Sequence, residues 1–93
     1  MHILCEKAAL AAALGAAREV AARKTTIPIL ETLKLDAGDG EVAVTGTDMD
    51  LLLATRAAAA VREAGACCLP AGRLADIVKA LPDGSQVEIS PLE

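Results

Sequence analysis

TTIPILETLKLDAGDGEVAVTGTDMDLLLATR, running from Thr25 to Arg56, decides how this chain folds. It begins on a proline-pinned segment, Thr26-Ile27-Pro28-Ile29-Leu30. Pro28 bars Ile27 from the helical region, so the backbone here is extended. Leu33, Leu35 and Ala37 then alternate with Thr32, Lys34 and Asp36, which is the period of a half-buried strand. Gly38-Asp39-Gly40 supplies the positive-φ positions of a short hairpin. Val42 and Val44 alternate with Glu41, Ala43 and Thr45, and a polar corner, Thr45-Gly46-Thr47-Asp48, leads into a third apolar run from Leu51 to Ala60. The pattern predicts antiparallel strands joined by short turns.

Outward from this stretch, the sequence alternates strand and helix. Met1 to Cys5 is a short apolar run that predicts a strand. Lys7 to about Arg23 is rich in Ala, the strongest helix former, and places Leu10, Leu14, Ala17 and Ala21 on one apolar face. Lys7, Ala11 and Arg18 form a neighbouring stripe. Arg23 and Lys24 close the helix, where cations suit its carbonyl end. Beyond Arg56, Arg62-Glu63-Ala64-Gly65 predicts a turn and Ala66 to Leu69 a strand. Pro70 introduces a second helix from Gly72 to Leu81, with Leu74, Ile77, Val78 and Leu81 on its apolar face, stopped by Pro82-Asp83-Gly84. Val87 and Ile89 mark a last strand. A shift of about 64 positions lays Leu10 on Leu74, Leu14 on Val78 and Ala17 on Leu81, an internal repeat of a strand-then-helix unit. Three strands follow the first helix and one follows the second, so the second half is expected to lack strands.

The 93 residues suffice for one domain. They are 54% hydrophobic, but much of that is Ala, and the chain has no Phe, Tyr or Trp. A domain of this size hides only roughly 60–65% of its unfolded surface. The core must therefore be thin and made of Leu, Ile and Val. The net charge of −4 is unlike that of a general nucleic-acid binder, so any contact with phosphate has to come from local clusters. The odd count of cysteines, Cys5, Cys67 and Cys68, fits a reducing compartment rather than a disulfide scaffold. Glu6 and Lys7 break what would be a signal-peptide core, and no apolar run reaches the ~20 residues of a membrane span.

Several residues carry chemistry, and each has a plainer structural role beside it. Asp48 and Asp50, spaced Asp-x-Asp, have the make-up of a Mg²⁺ site for a phosphotransferase. A turn in which Asp48 caps its own backbone is the favoured reading, since no glycine-rich phosphate cradle precedes them. His2, Cys5, Cys67 and Cys68 have zinc-ligand chemistry. On strands, however, residues three apart or adjacent point to opposite faces, and a buried thiol is an ordinary small hydrophobe. The single histidine, His2, sits at the chain terminus, and no Ser-His-Asp set can be assembled from it, so no catalytic constellation is expected. The cations Lys7, Arg18, Arg23, Lys24, Arg73 and Lys79 are either solvated helix charges or a sparse set of phosphate contacts. Without aromatic residues, base stacking on single strands is not available to this chain.

Between Lys24 and Asp48, and again from Leu69-Pro70-Ala71 to Leu81-Pro82-Asp83-Gly84, the sequence resembles the bacterial β sliding clamps, the DNA polymerase III beta subunits. Their first domain carries a TxPIL segment and a GTD corner in this order and at this distance from the start. The resemblance covers the whole chain. It implies an α+β DNA-clamp fold, with an antiparallel sheet and two helices on one face. Residues 1–93 would be an N-terminal clamp domain lacking its last strands. The implied function is topological: the clamp encircles duplex DNA without regard to sequence and tethers the replicative polymerase, as a non-catalytic subunit. The chain would work in the cytoplasm, with no cofactor, metal or membrane. DNA polymerase and the clamp loader would be partners of the full-length protein. The resemblance assigns DNA contact to Lys24, the basic residue before the TxPIL segment, with Arg23, Arg18 and Lys7 beside it. It assigns the head-to-tail contact between protomers to Arg73 and Leu74. Family rings hold six domains, three per chain, with the partner-peptide groove between the second and third. This chain alone has no such groove and is not expected to close a ring. A stand-alone protein-interaction module of the same fold is the rival expectation. Open sheet edges predict self-association.

Overall fold

The computed structural model describes residues 1–21, 32–48 and 50–90. The proline-pinned segment, Arg23 and Lys24 lie outside the described residues. The elements are β1 (His2–Glu6), α1 (Lys7–Val20), β2 (Thr32–Gly38), β3 (Glu41–Thr47), β4 (Leu52–Ala58), β5 (Ala60–Glu63), β6 (Gly65–Pro70), α2 (Ala71–Ala80) and β7 (Gln86–Ile89).

The strands β2, β3 and β4 form the expected antiparallel meander, with Leu35 opposite Val44 and Val44 opposite Thr55. The β2–β3 hairpin turns on Asp39 (φ 52°) and Gly40 (φ 76°), two consecutive left-handed residues. That geometry matches the natural strand twist and favours glycine. Leu33, Leu35, Ala37, Val42 and Val44 point into the core, while Lys34 and Asp36 face away from it. The α+β class holds, but the expected single sheet is divided in two. One has the order β4-β3-β2-β6 and the other β5-β1-β7.

The division arises where the sequence pattern reads as one strand. Leu51 to Ala60 was expected to be continuous. Instead β4 ends at Ala58, the Ala59 N–H donates to the Gly40 carbonyl (3.0 Å), and the chain passes into β5. There Val61 pairs with Ile3 of β1, in the other sheet. Arg62 and Glu63, expected in a turn, are thus the end of β5, and only Ala64 separates it from β6. An alanine run has no pattern of its own, so pairing partners decided where it bends. The first helix stops at Val20 rather than Arg23, because Ala21 is already extended (ψ 135°).

The internal repeat is visible in three dimensions. The shift that superposes the two sequence halves carries Lys7, where α1 starts, onto Ala71, where α2 starts. Each half lends its first strand to the other half's sheet. β1 pairs antiparallel with β7 (Cys5 opposite Val87), and β6 pairs antiparallel with β2 (Leu69 opposite Leu33). Cys5 and Leu69 occupy the same place in the repeat, so the crossed pairings also match in register.

The halves are unequally covered. α1 lies on β3 and β4 and buries Leu10, Ala13, Leu14 and Ala17. The Thr55 hydroxyl of β4 donates to the Ala13 carbonyl (3.0 Å), tying helix to sheet. α2 packs along α1 and touches the strands mainly at β6, and it buries only Ala71 and Val78. The fully buried large residues are Ile3, Leu10, Leu14, Leu33, Leu35, Val42, Val44 and Val78, an aliphatic core with no buried polar side chain among the described residues.

The outer face of the smaller sheet carries one titrating contact. His2 Nε2 lies 2.7 Å from Glu88 Oε2 across the β1–β7 pair. This hydrogen bond, then the charge of His2 and more weakly that of Arg62, holds the Glu88 carboxyl below the ordinary carboxylate value. A carboxyl lowered in the folded state stabilises the fold above its unfolded pKa, and the contribution disappears as pH falls through the folded value. Between about pH 5 and pH 3, wild type should therefore lose more stability than Glu88→Gln, read from urea midpoints at each pH. Parallel curves for the two proteins would show that the contact is not felt. Because Glu88 is exposed, the difference should be small.

Candidate functional site

The helix layer carries most of the cations singled out in the sequence. Lys7 opens α1, and its Nζ lies 3.0 Å from Asp83 Oδ1 in the turn after α2. Arg18, in the last turn of α1, pairs with Asp76 of α2 at 2.7 Å. Its guanidinium lies over Gly72, where an added Cβ would sit 3.3 Å from Nη2. Both side chains therefore bridge from the first helix to the second half of the repeat. Their partners are exposed, so each pair is worth at most about 1 kcal/mol. The positioning matters more: the two bridges fix the helix pair at both of its ends. Lys24 and Arg23, the residues first expected to contact DNA, lie outside the described residues.

On α2, Arg73 is exposed and Leu74 is half-buried against the core. The residue that pattern reading misplaced is Ile77. It was expected on the buried face with Leu74 and Val78, yet it is 53% exposed while Val78 is 1% exposed. Ile77 follows Arg73 at i+4, so the two share an outward stripe. One helix position, about 100°, separates Ile77 from Val78, enough to turn it out of the core. Lys79 stands nearby, exposed, beside a groove of about 610 Å³ between the helices.

The glycine-threonine-aspartate corner is a built turn. Asp48 Oδ1 accepts from the backbone N–H groups of Asp50 (3.0 Å) and Leu51 (2.9 Å), and Thr47 Oγ1 donates to the Leu51 carbonyl (2.9 Å). Asp48 is thus a backbone cap. Gly46 makes the approach of β3 to α1 possible, since a Cβ there would lie 2.5 Å from the Ala17 carbonyl oxygen. The thiols are spread out. Cys5 is in the core and donates to the Ala58 carbonyl (3.3 Å), Cys67 is half-buried and Cys68 exposed. Burial, reinforced by the Glu6 carboxylate, pushes the Cys5 thiol above its ordinary value. Burial does the same at Cys67, with Cys68 adding to the rise and the amino terminus opposing it. His2 is engaged with Glu88. No helix among the described residues is long and apolar enough to cross a membrane.

The family model described as DNA polymerase III beta subunit, N-terminal domain, matches residues 1–93. The chain belongs to this family. A beta sliding clamp from Caulobacter vibrioides is 37% identical over 90 residues, covering 97% of this chain and 24% of the relative. The beta sliding clamp of Escherichia coli K12 is 36% identical over 67 residues, 71% of this chain and 18% of that protein. The crystal structure of a DNA polymerase sliding clamp from Caulobacter crescentus superposes with a TM-score of 0.95 at 37% identity, covering 97% of this chain and 24% of that one. A sliding clamp from Pseudomonas aeruginosa, bound to griselimycin, superposes at 0.93 with 31% identity over 100% of this chain and 26% of its own. The chain thus spans about a quarter of the length of the beta subunits it matches. The fold described above is that of the clamps over this quarter, with the helix pair in one layer and the two sheets beside it.

Proposed function

We propose that this chain is a wall segment of a DNA sliding clamp, a non-catalytic processivity factor that encircles duplex DNA and tethers the replicative polymerase. The observation that carries the reading is the doubled strand-helix plan with crossed first strands, superposing on a solved clamp at a TM-score of 0.95. In such a ring the helix pair faces the duplex and the sheets face outward. Contacts with DNA are then few, because a strongly held duplex cannot slide. A chain of net charge −4 with a few cations on its helix side meets that requirement. Lys24 and Arg23 are the principal contacts in this reading, with Arg18 and Lys7 beside them. Polymerase and clamp loader are partners of the full-length protein, in the cytoplasm.

Residues 1–93 correspond in this reading to an N-terminal clamp domain without its last strands. β7 stands where β2 stands in the first half, and the first half goes on to β3 and β4. Among the described residues β6 and β7 are edge strands, and such edges favour self-association. The exposed stripe of Arg73 and Ile77, with Leu74 beneath it, is the surface for contact with another protomer.

The test is duplex binding as a function of salt. The clamp reading expects weak, sequence-independent binding that fades with salt and weakens further in Lys24→Ala and Arg23→Ala. Binding absent even at low salt, or unchanged by both substitutions, would favour a protein-interaction module of the same fold. Sedimentation of the same samples should show association beyond the monomer. A monomer with a high melting temperature would rule out the self-association.

A further inference from the structure

We propose that the cavity at the seam of the two sheets receives a lysine side chain from a partner protein, with Glu6 as the carboxylate that holds its ammonium. This contact is independent of the duplex reading. The cavity measures about 620 Å³, a volume common for specific binding pockets. It lies where the chain leaves β4 for β5, with Ala58, Ala59 and Ala60 on one side and Leu4 and Ala9 flanking them. The space stays empty of this chain's own side chains because the crossing is made of alanine and meets the hairpin at Gly40.

Glu6 is the charged group that lines this cavity. It is exposed and stands at the N-cap of α1, yet its carboxylate makes no capping hydrogen bond. Among the described residues it has no side-chain hydrogen bond or ion pair. The adjacent cation, Lys7, is drawn away to Asp83 at 3.0 Å. Gln86 lies directly opposite Glu6 on β7, so its amide shares the same ligand. Asp39, next to Gly40 at the hairpin tip, is exposed and also without an ion pair among the described residues, which makes the approach acidic. Small apolar walls thus meet an unneutralised carboxylate. A lysine satisfies both: its methylene stem lies along the alanines, and its three donors divide between Glu6 and Gln86. An anion would be repelled by Glu6, and a neutral apolar group would strip water from the carboxylate without replacing it.

Glu6 also sits at the amino end of α1, where a carboxylate favours the helix by itself, and that role alone would affect folding only. Ligand binding separates the two roles. Nitrogen–proton correlation spectra of the full chain are recorded while the peptide acetyl-Ala-Lys-Ala-amide is added. The amides of Ala9, Ala59 and Gln86 should shift together, with a dissociation constant in the millimolar range. The same peptide with norleucine for lysine keeps the stem and loses the charge, and it should bind several-fold more weakly. Glu6→Gln should weaken the lysine peptide to the same degree. Ala60→Leu, which fills the cavity and leaves Glu6 in place, should also weaken it. n-Butylammonium, an amine without flanking peptide, should bind more weakly than the lysine peptide; equal binding would assign the cavity to free amines and overturn the protein partner. Absence of shifts at these amides, or equal binding by wild type and Glu6→Gln, would overturn the site itself.

Discussion

Gly46→Ala should destabilise this protein by about 2–4 kcal/mol. The new methyl would stand 2.5 Å from the Ala17 carbonyl oxygen and 3.0 Å from Leu33 Cδ2. The first of these is backbone near the carbonyl end of α1, so no rotamer change relieves it. Either β3 or the last turn of α1 has to move. Ala17 is fully buried, and its carbonyl also accepts from the Ala21 N–H at 3.1 Å, so the movement would break the helix end. Gly15→Ala is the control. Nothing lies within 4 Å of the Cβ it would add, and in a helix interior the change should stabilise by about 0.5–1 kcal/mol. Urea unfolding of both variants reads the opposite signs. A Gly46→Ala protein within about 0.5 kcal/mol of wild type would mean that the corner is not packed as described.

Leu14→Ala should cost about 3–4 kcal/mol, whereas Leu74→Ala should cost about 1–2 kcal/mol. Leu14 is fully buried between α1 and the four-stranded sheet, and its removal leaves a cavity that an aromatic-free core cannot refill. Leu74 is the repeat counterpart of Leu10, which is fully buried like Leu14, but Leu74 is only half-buried because α2 has little sheet beneath it. For a domain with marginal stability, the Leu14 loss alone is enough to populate the unfolded state. Thermal melting followed by circular dichroism measures both. Equal losses at the two positions would contradict the unequal coverage of the two helices.

The contrast between the two glycines shows what pattern reading reaches. Both stand in plain sequence, and nothing in their neighbours says that one abuts a carbonyl and the other faces open space. The same holds for Ile77, whose spacing from Leu74 fits a buried face until the course of α2 along α1 is known. It holds also for the alanines from Ala57 to Ala60, which break between two sheets at a point the composition does not mark.

The sequence by itself determined the order of strands and helices, the turn at Asp39 and Gly40, the aliphatic core of the meander and the repeat of the strand-helix unit. These are local or periodic properties, written in side-chain alternation and in residues with restricted dihedrals. Family membership followed from short motifs in a fixed order. The tertiary structure alone decided that each half gives its first strand to the other, that Lys7 and Arg18 end on Asp83 and Asp76, and that Lys79 is left unpaired among the described residues. Those facts join residues far apart in the chain, and the physical reason they were hidden is that a charge or a strand edge carries no label for its partner.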